Sequence, residues 1–194
     1  MKLPVCVFDL ESDMLCPSCQ SKLDSGEISE FDVEFSRWML ERMKGYPELD
    51  DVTLLRAVKA GRRIVLLVKK KNKELMESAK ELLTEIRDTY GEPLILEGPM
   101  KLRTAVRTMI YPAVEVGVNS LYLPDGHRES IVMLKAEDEP RIPFTKSELR
   151  TIVSAVVGEQ VLFEFQEERK THGTDTEIDA FGEKMKEFSQ KRAQ

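Results

Sequence analysis

The sequence predicts an α+β protein in which a small cysteine-bearing N-terminal segment precedes two similar α/β units and a charged tail. Three observations support this fold class. The order helix, strand, strand, helix, strand occurs twice along the chain. Corresponding apolar residues of the two copies lie 67 positions apart. Hydrophobic residues make up 41% of the 194 residues, which is enough for packed cores and excludes a chain that is disordered throughout.

The first unit opens with a helix, predicted over residues 29–44 because its apolar side chains recur at helical spacing. Ser29, with Asp32 three residues later, resembles a capping box in which aspartate takes the usual place of glutamate. Gly45 and Pro47 end this helix.

Two strands, a second helix and a third strand complete the first unit. Gly61 separates the two strands, Asn72 is placed to cap the helix, and Gly91 ends it. One apolar stripe runs along the whole helix, which predicts that the helix is uninterrupted. These elements are predicted over residues 52–59, 62–68, 75–90 and 94–96.

The second unit repeats this order with its own start and stop signals. Pro99 suits the first turn of a helix, and Pro112 cannot continue it. Pro124-Asp125-Gly126 is a strong turn signal between two strands. Thr145 and Glu148 form a regular capping box. The predicted elements cover residues 99–111, 121–123, 131–134, 146–157 and 161–165.

The two units align at an offset of 67 residues, which places Ile64–Leu67 opposite Ile131–Leu134 and Gly91 opposite Gly158. Agreement in residue type, element order and closing glycine favours an internal repeat over chance similarity. Units of this length fit two compact domains better than a solenoid, which needs three or more repeats. The alignment predicts equivalent strands for the two apolar segments. It also predicts burial beneath the sheets for one residue of each helix: Phe35, Leu82, Leu102 and Leu149.

The domain boundaries follow from these elements. The tail carries seven acidic and six basic residues and little apolar content, apart from a few side chains at helical spacing. We expect either a mobile tail or a short helix that is stable only when it docks. The predicted division is a zinc-knuckle-like segment, a first unit, a second unit and a tail, over residues 1–28, 29–98, 99–166 and 167–194.

Charge and motif content exclude several functional classes. The 29 basic and 35 acidic residues give a net charge of −6, which argues against coating nucleic acid by bulk charge but permits a local basic face. The sequence has no nucleophile elbow, Walker loop or dinucleotide-binding glycine motif, so neither an enzyme nor a small-molecule substrate is expected. The longest aliphatic run, Ile64–Val68, is far short of the ~20 residues of a membrane helix, and Asp9 and Glu11 argue against a signal peptide. We therefore expect a cytoplasmic protein without a membrane partner.

All three cysteines lie within the first 20 residues, in the pattern Cys6-x-x-Asp9 followed by Cys16-x-x-Cys19. A two-residue gap lets both ligands of a turn reach one tetrahedral ion, and aspartate can ligate zinc. The pattern therefore predicts a zinc site formed by Cys6, Asp9, Cys16 and Cys19. Two other interpretations stay open. One is a degenerate site with three free thiols. The other is a redox Cys-x-x-Cys, although no thioredoxin-like context surrounds it.

The stretch from Val52 to Lys73 contains no acidic residue, although the chain is acidic overall. Eight of the 29 basic residues fall in these 22 positions. Such a cluster could contact phosphates, with an affinity that falls as salt rises. A solvated lysine-rich surface is the alternative. The residues predicted to bind nucleic acid are Arg62, Arg63, Lys69, Lys70, Lys71 and Lys73.

Three short stretches carry a resemblance to a known family: Cys16-Pro17-Ser18-Cys19-Gln20, Lys22-Leu23-Asp24-Ser25-Gly26-Glu27-Ile28 and Leu121-Tyr122-Leu123-Pro124-Asp125-Gly126. With the tandem units, they resemble the archaeal NusA-like transcription factors, which combine paired type II KH domains with an N-terminal cysteine knuckle. The resemblance covers residues 1–166 and not the tail. It implies single-stranded RNA binding, linked to transcription or the ribosome, with transcription or ribosomal proteins as partners.

The sequence departs from that family where RNA would be clamped. In KH domains a G-x-x-G loop between two helices holds the nucleic-acid backbone. The corresponding residues here, 77–80 and 144–147, contain no glycine, so no binding residue carries over from this motif. Two functions remain: weak, salt-sensitive RNA binding through the basic stretch, or a protein-interaction scaffold whose KH-like folds no longer bind RNA. A metal-dependent enzyme is disfavoured, because four protein ligands leave no position for a substrate.

Overall fold

The computed structural model of the chain describes residues 1–122, 124, 126 and 128–166. Its helices are α1 (Val7–Ser12), α2 (Pro17–Asp24), α3 (Glu30–Arg42), α4 (Lys73–Ser78), α5 (Lys80–Tyr90), α6 (Leu102–Ile110) and α7 (Lys146–Val157). Its strands are β1 (Leu54–Ala60), β2 (Arg63–Lys69), β3 (Glu92–Gly98), β4 (Gly117–Tyr122), β5 (Arg128–Lys135) and β6 (Gln160–Gln166). The predicted α+β class is confirmed. The tail, residues 167–194, lies outside the described residues, and its expected behaviour stays a prediction.

The strands form two three-stranded sheets with the same topology. In the first sheet, β2 pairs antiparallel with β1 and parallel with β3. In the second sheet, β5 pairs antiparallel with β4 and parallel with β6. Ile64–Leu67 and Ile131–Leu134 therefore both lie in central strands, as the internal repeat predicts.

Helices and sheets alternate in four layers. The first layer, α3 with α4 and α5, packs on one face of the first sheet around Phe35, Met76 and Leu82. The opposite face of that sheet packs against α6 and α7, which also cover one face of the second sheet. Phe35, Leu82 and Leu149 are fully buried as predicted, whereas Leu102 is only half-buried.

Within the central strands, the residue-by-residue alignment of the two units is wrong, because it pairs a residue that faces the core with one that does not. Ile64 packs on the helices of the first layer, whereas its aligned residue Ile131 is only half-buried and lies outside the core that holds Val132 and Leu134. The cause is the burial of the first sheet on both faces, which makes β2 continuously apolar. A continuous apolar strand gives no alternation from which the phase could be read.

The second helix of the first unit is broken, and the prediction of an uninterrupted helix is wrong. Helix α4 ends at Ser78, Ala79 leaves the helical region with φ −80° and ψ 65°, and α5 begins at Lys80. Met76 and Ala79 are both buried in the same core. Two short helices thus bury the apolar residues that the sequence pattern assigns to one helix. The position of the break depends on packing and cannot be read from the periodicity.

The local caps agree with the sequence in two cases of three. Ser29 with Asp32 and Thr145 with Glu148 both form complete capping boxes. Asn72 precedes α4, but its side chain does not cap that helix. Instead its carbonyl oxygen accepts a hydrogen bond from the backbone N–H of Thr53 at 3.1 Å.

Across the described ranges, every helix is too short or too polar to cross a bilayer.

Candidate metal centre and basic surface

The four predicted metal ligands occupy equivalent places in two consecutive short helices. Cys6 is the residue that caps the start of α1, and Asp9 lies in the first turn of that helix. Cys16 and Cys19 hold the same two positions in α2. Side chains at these two positions lie on the same side of a first helical turn, which is why capping boxes form there. The two-residue gap is therefore the spacing that brings each pair together.

The structure also brings the two pairs together, which confirms the predicted proximity. One donor atom from each of Cys6, Asp9, Cys16 and Cys19 lies within 4.8 Å of all the others, so the group could hold a metal ion. The Cys19 thiol donates to the sulfur of Cys6 at 3.5 Å, and the Cys16 backbone N–H donates to the Asp9 carboxylate at 3.0 Å. Asp9 and Cys19 are buried, whereas Cys6 is exposed.

The local environment alters the ionisation of two of these groups. Burial raises the pKa of the Cys19 thiol to about 12, and the hydrogen bond to Asp9 adds to this effect. Hydrogen bonds from Cys19 and Cys16 lower the pKa of Asp9. The carboxylate is therefore ionised and ready to ligate a cation, while Cys19 has to lose a proton before it can do so.

The cysteine module, residues 1–28, is supported by a small core and by the first sheet. Val5, Leu10, Cys19 and Ile28 form that core, with half-buried side chains of α3 packed against it. At the N-terminus, Lys2 forms a parallel bridge with Thr53 just before β1. A tetrahedral ion with four protein ligands is typical of a structural site. Here such an ion would fasten α1 to α2 inside a module that is already docked on the first unit.

The predicted nucleic-acid-binding residues do not form one patch. Arg62 and Arg63 lie at the turn that joins β1 to β2, whereas Lys69 begins the turn at the other end of β2. A seven-residue strand separates the two groups, which is about 20 Å. The acid-free stretch is thus continuous in sequence but divided in space, because a strand runs through its middle.

The arginine group and the lysine group also differ in their contacts. The Arg63 guanidinium lies 4.5 Å from the centre of the Phe144 ring and donates to the carbonyl oxygen of Pro143 at 3.2 Å. Lys73 forms an ion pair with Glu77 at 3.6 Å. Within the described part of the chain, no ion pair involves the exposed side chains of Lys69, Lys70, Lys71 or Arg62.

Sequence reasoning missed a further group of cations that the fold gathers in one cleft. Lys22 from α2, Arg56 from β1 and Arg150 from α7 line a cleft of about 1400 Å³. These three residues are far apart in the sequence and belong to the cysteine module, the first sheet and the second unit. Arg56 belongs to the acid-free stretch, but no local pattern marks the three as a group, since only the packing of the cysteine module and the second unit against β1 brings them together.

Comparison with known proteins leaves the family open. No family model matches this sequence, and no curated protein is significantly similar to it. Among solved structures, the chain is similar to one titled "Crystal structure of APE1850", with 14% sequence identity and a TM-score of 0.44. The likeness covers 64% of this chain and 96% of that one. We base no argument about fold or function on a likeness of this size.

Proposed function

We propose that this protein binds single-stranded RNA through two KH-like units whose glycine loops are absent, and that zinc is the structural centre of its cysteine module. From the resemblance to archaeal NusA-like factors, we infer that this activity serves transcription or the ribosome. Binding is weak, depends on salt and reads little sequence, because phosphate contacts position a strand without specifying it.

The broken helix of the first unit supports the KH-like part of this proposal. The break at Ala79 falls within residues 77–80, which the resemblance assigns to the RNA-clamping loop between two helices. Met76 and Ala79 are buried there, and the exposed Lys80 begins the next helix. Without glycine the loop cannot offer its amides at close range, so charged side chains nearby have to supply the phosphate contacts.

The observation that carries the proposal is the turn formed by Lys69, Lys70 and Lys71. Three consecutive exposed lysines stand at the end of β2 in an acidic protein. The described residues provide none of these three ammonium groups with an ion pair, although Glu97 accepts a hydrogen bond from the backbone N–H of Lys71. Like charges held together without partners are costly unless a counterion or a polyanion neutralises them, which favours phosphate as the ligand.

The zinc part of the proposal rests on the donor set. Three thiols and one carboxylate within 4.8 Å of one another suit a tetrahedral zinc site. Without metal, the Asp9 carboxylate, whose pKa is lowered, lies among the thiols, and the raised pKa of Cys19 keeps that thiol protonated.

A protein-interaction scaffold is the second candidate, and exposed apolar side chains favour it. Phe8 on the cysteine module is 72% exposed, and Tyr111 and Tyr122 on the second unit are each 77% exposed. Large exposed apolar groups mark interaction surfaces when they are contiguous. These residues are spread over two parts of the fold, so the RNA-binding proposal ranks first.

A titration of full-length protein with fluorescein-labelled oligouridine RNA at two salt concentrations tests the proposal. We expect binding that weakens steeply with salt. A variant with Lys69, Lys70 and Lys71 changed to Ala should bind more weakly, with a salt slope flatter by up to ~0.7 per lost contact. The matched control changes three exposed cations elsewhere, Lys44, Lys101 and Arg103, to Ala and so has the same net charge.

The outcomes separate the two candidates. Weaker binding by the lysine variant alone supports a localised RNA site. Equal weakening by both variants would mean that only bulk charge matters. No binding by the wild-type protein at low salt would favour the scaffold.

A further inference from the structure

A groove lies between β1, an edge strand of the first sheet, and helix α7. It consists of the cleft of about 1400 Å³ and a smaller cavity of about 410 Å³ beside Arg62. Both cavities are lined by Thr151, in the middle of the exposed side of α7. The cysteine module closes one side of the larger cavity with the turn that contains Gly26.

This groove connects the two halves of the basic stretch that β2 separates. Arg62 and Lys59 line the smaller cavity at one end. At the other end, Thr53 lines the larger cavity, and its carbonyl oxygen accepts a hydrogen bond from the backbone N–H of Lys69 at 2.9 Å. The lysine turn therefore stands at the rim of the groove. The seven residues of β1 give the path between the two ends a length of about 20 Å.

Cations line the floor and walls of the groove between these two ends. Lys22, Arg56 and Arg150 belong to the larger cavity, together with Arg128. Among the described residues, the acidic side chains of the same cavity are those of Glu27, Glu129 and Glu159. Glu159 is already engaged, since it accepts a hydrogen bond from the Ser130 hydroxyl at 2.9 Å and lies 3.8 Å from Arg128. Lys22 and Arg150 form no ion pair among the described residues, so their charges are available to an anion in the cavity.

Arg56 joins the wall of this cavity to a buried carboxylate. Its Nε atom is buried and has no hydrogen-bond partner among the described residues. The nearest carboxylate oxygen, of Asp32, is 3.5 Å away and already accepts hydrogen bonds from Ser29. Buried donors without partners are rare in folded proteins. Arg56 forms an ion pair with Asp32 at 3.5 Å through this buried Nε, and its side chain, 20% exposed, also lines the cavity, where an anion can contact it.

We propose that a single-stranded RNA lies along this groove, with its phosphates against Lys22, Arg56 and Arg150 and its ends at the lysine turn and Arg62. This inference rests on the proposed RNA binding and gives it a path. A groove about 20 Å long that is lined by cations fits an extended polyanion better than a compact anion. Arg56 on β1 and Arg150 on α7 then both contact phosphates. RNA bound only at the turn of Lys69–Lys71 would not reach them.

The test compares two double variants of the full-length protein. In the first, Lys22→Ala and Arg150→Ala remove two groove cations that make no ion pair within the described ranges. In the second, Lys44→Ala and Arg103→Ala remove two exposed cations that line neither cavity. Binding of fluorescein-labelled oligouridine is measured over a range of salt concentrations. Photocrosslinking with 4-thiouridine RNA, followed by peptide mapping, reports the position of the strand independently.

We expect the groove variant to bind about tenfold more weakly than the control variant, with a salt slope flatter by up to about 1.4. Crosslinked peptides should come from residues 22–28 and 150–159 as well as from residues 69–73. Unchanged binding by the groove variant, with crosslinks confined to residues 69–73, would overturn the groove while leaving RNA binding intact. No binding by the wild-type protein at low salt would overturn both.

Discussion

The carboxylate of Asp32 accepts a hydrogen bond from the backbone N–H of Ala57 at 2.6 Å, which links the first turn of α3 to the middle of β1. The same carboxylate accepts hydrogen bonds from the backbone N–H and the hydroxyl of Ser29, at 2.8 Å and 2.9 Å. Asp32 is fully buried. One side chain therefore caps a helix and also fixes that helix to the sheet.

Replacing Asp32 with Ala should lower the free energy of unfolding by about 2–4 kcal/mol. The change removes a helix cap and leaves the buried N–H of Ala57 without a partner. Urea denaturation measures this cost. Glu148→Ala is the matched control, because Glu148 completes the other capping box but is less buried and bonds only within its own turn. It should cost about 0.5–2 kcal/mol, and equal costs would show that the contact with β1 contributes nothing.

The sequence predicts those features that local physics determines. Both capping boxes depend on residues three positions apart, and the metal cluster depends on two gaps of two residues, so each can be read from a short pattern. The order of the elements and the equivalent central strands follow from periodicity and turn residues in the same way.

Features that depend on packing between layers could not be predicted. The break at Ala79 interrupts an unbroken apolar stripe, and the burial of the first sheet on both faces conceals the phase of β2. The groove cations Lys22, Arg56 and Arg150 come from the cysteine module, the first sheet and the second unit. Nothing in their sequence neighbourhoods indicates that they share a cavity.

The protein should hold about one zinc ion per chain, bound by three cysteines and Asp9. Elemental analysis of protein purified without a chelator measures the metal. Cys19→Ser should lose the ion and increase hydrogen exchange mainly within residues 1–28, because the two larger units have cores of their own. Ser18→Ala, a change between the two cysteines of α2, is the control and should keep its zinc. Metal-free wild-type protein would contradict the site.

Zinc affinity should increase with pH. The Cys19 thiol, whose pKa is raised to about 12 by burial and by its hydrogen bond to Asp9, has to release its proton when the metal binds. Each released proton strengthens apparent binding by up to about tenfold per pH unit. In the metal-free protein, the stability of the fold should instead fall as the pH rises. A thiol whose pKa is raised from 9.0 stabilises the fold below that pH, and this contribution is lost as the pH approaches 12.

Competition with a chelator between about pH 6 and pH 8 measures the pH dependence of zinc binding. Correction for the protonation of the chelator itself serves as the control. An apparent affinity that does not change with pH would contradict a thiol-ligated site.

The two closing glycines should differ sharply in their tolerance of alanine. Gly91 has φ +111°, and a methyl group there would collide with the backbone carbonyl of Arg62. Gly158 has φ +80°, and a methyl group there would meet open space. Gly91→Ala should cost at least about 2 kcal/mol, whereas Gly158→Ala should cost about 1 kcal/mol for its left-handed backbone alone. Urea denaturation of the two variants measures the difference, and equal costs would mean that the contact with Arg62 relaxes freely.

Arg62 and Arg63 are adjacent, and the sequence predicts that both bind nucleic acid. Their contacts in the structure predict different roles. Arg63 stacks on Phe144 and donates to Pro143, so it joins the first unit to the second, whereas Arg62 is exposed at the end of the groove. Arg63→Ala should lower the free energy of unfolding by about 1–2 kcal/mol and leave the salt slope of RNA binding unchanged. Arg62→Ala should change stability by less than about 0.5 kcal/mol and flatten the slope by up to ~0.7.

Urea denaturation and RNA titrations on the same two preparations separate these effects, and each variant is the control for the other. The Arg63 guanidinium is already engaged by an aromatic ring and a carbonyl oxygen within the protein before any RNA arrives. A phosphate would have to compete with the Phe144 ring and the Pro143 carbonyl for that guanidinium, which makes Arg63 a poor contact at moderate salt. An equal change of slope in both variants would contradict this division, because it would require Arg63 to leave its contacts and bind phosphate as freely as Arg62 does.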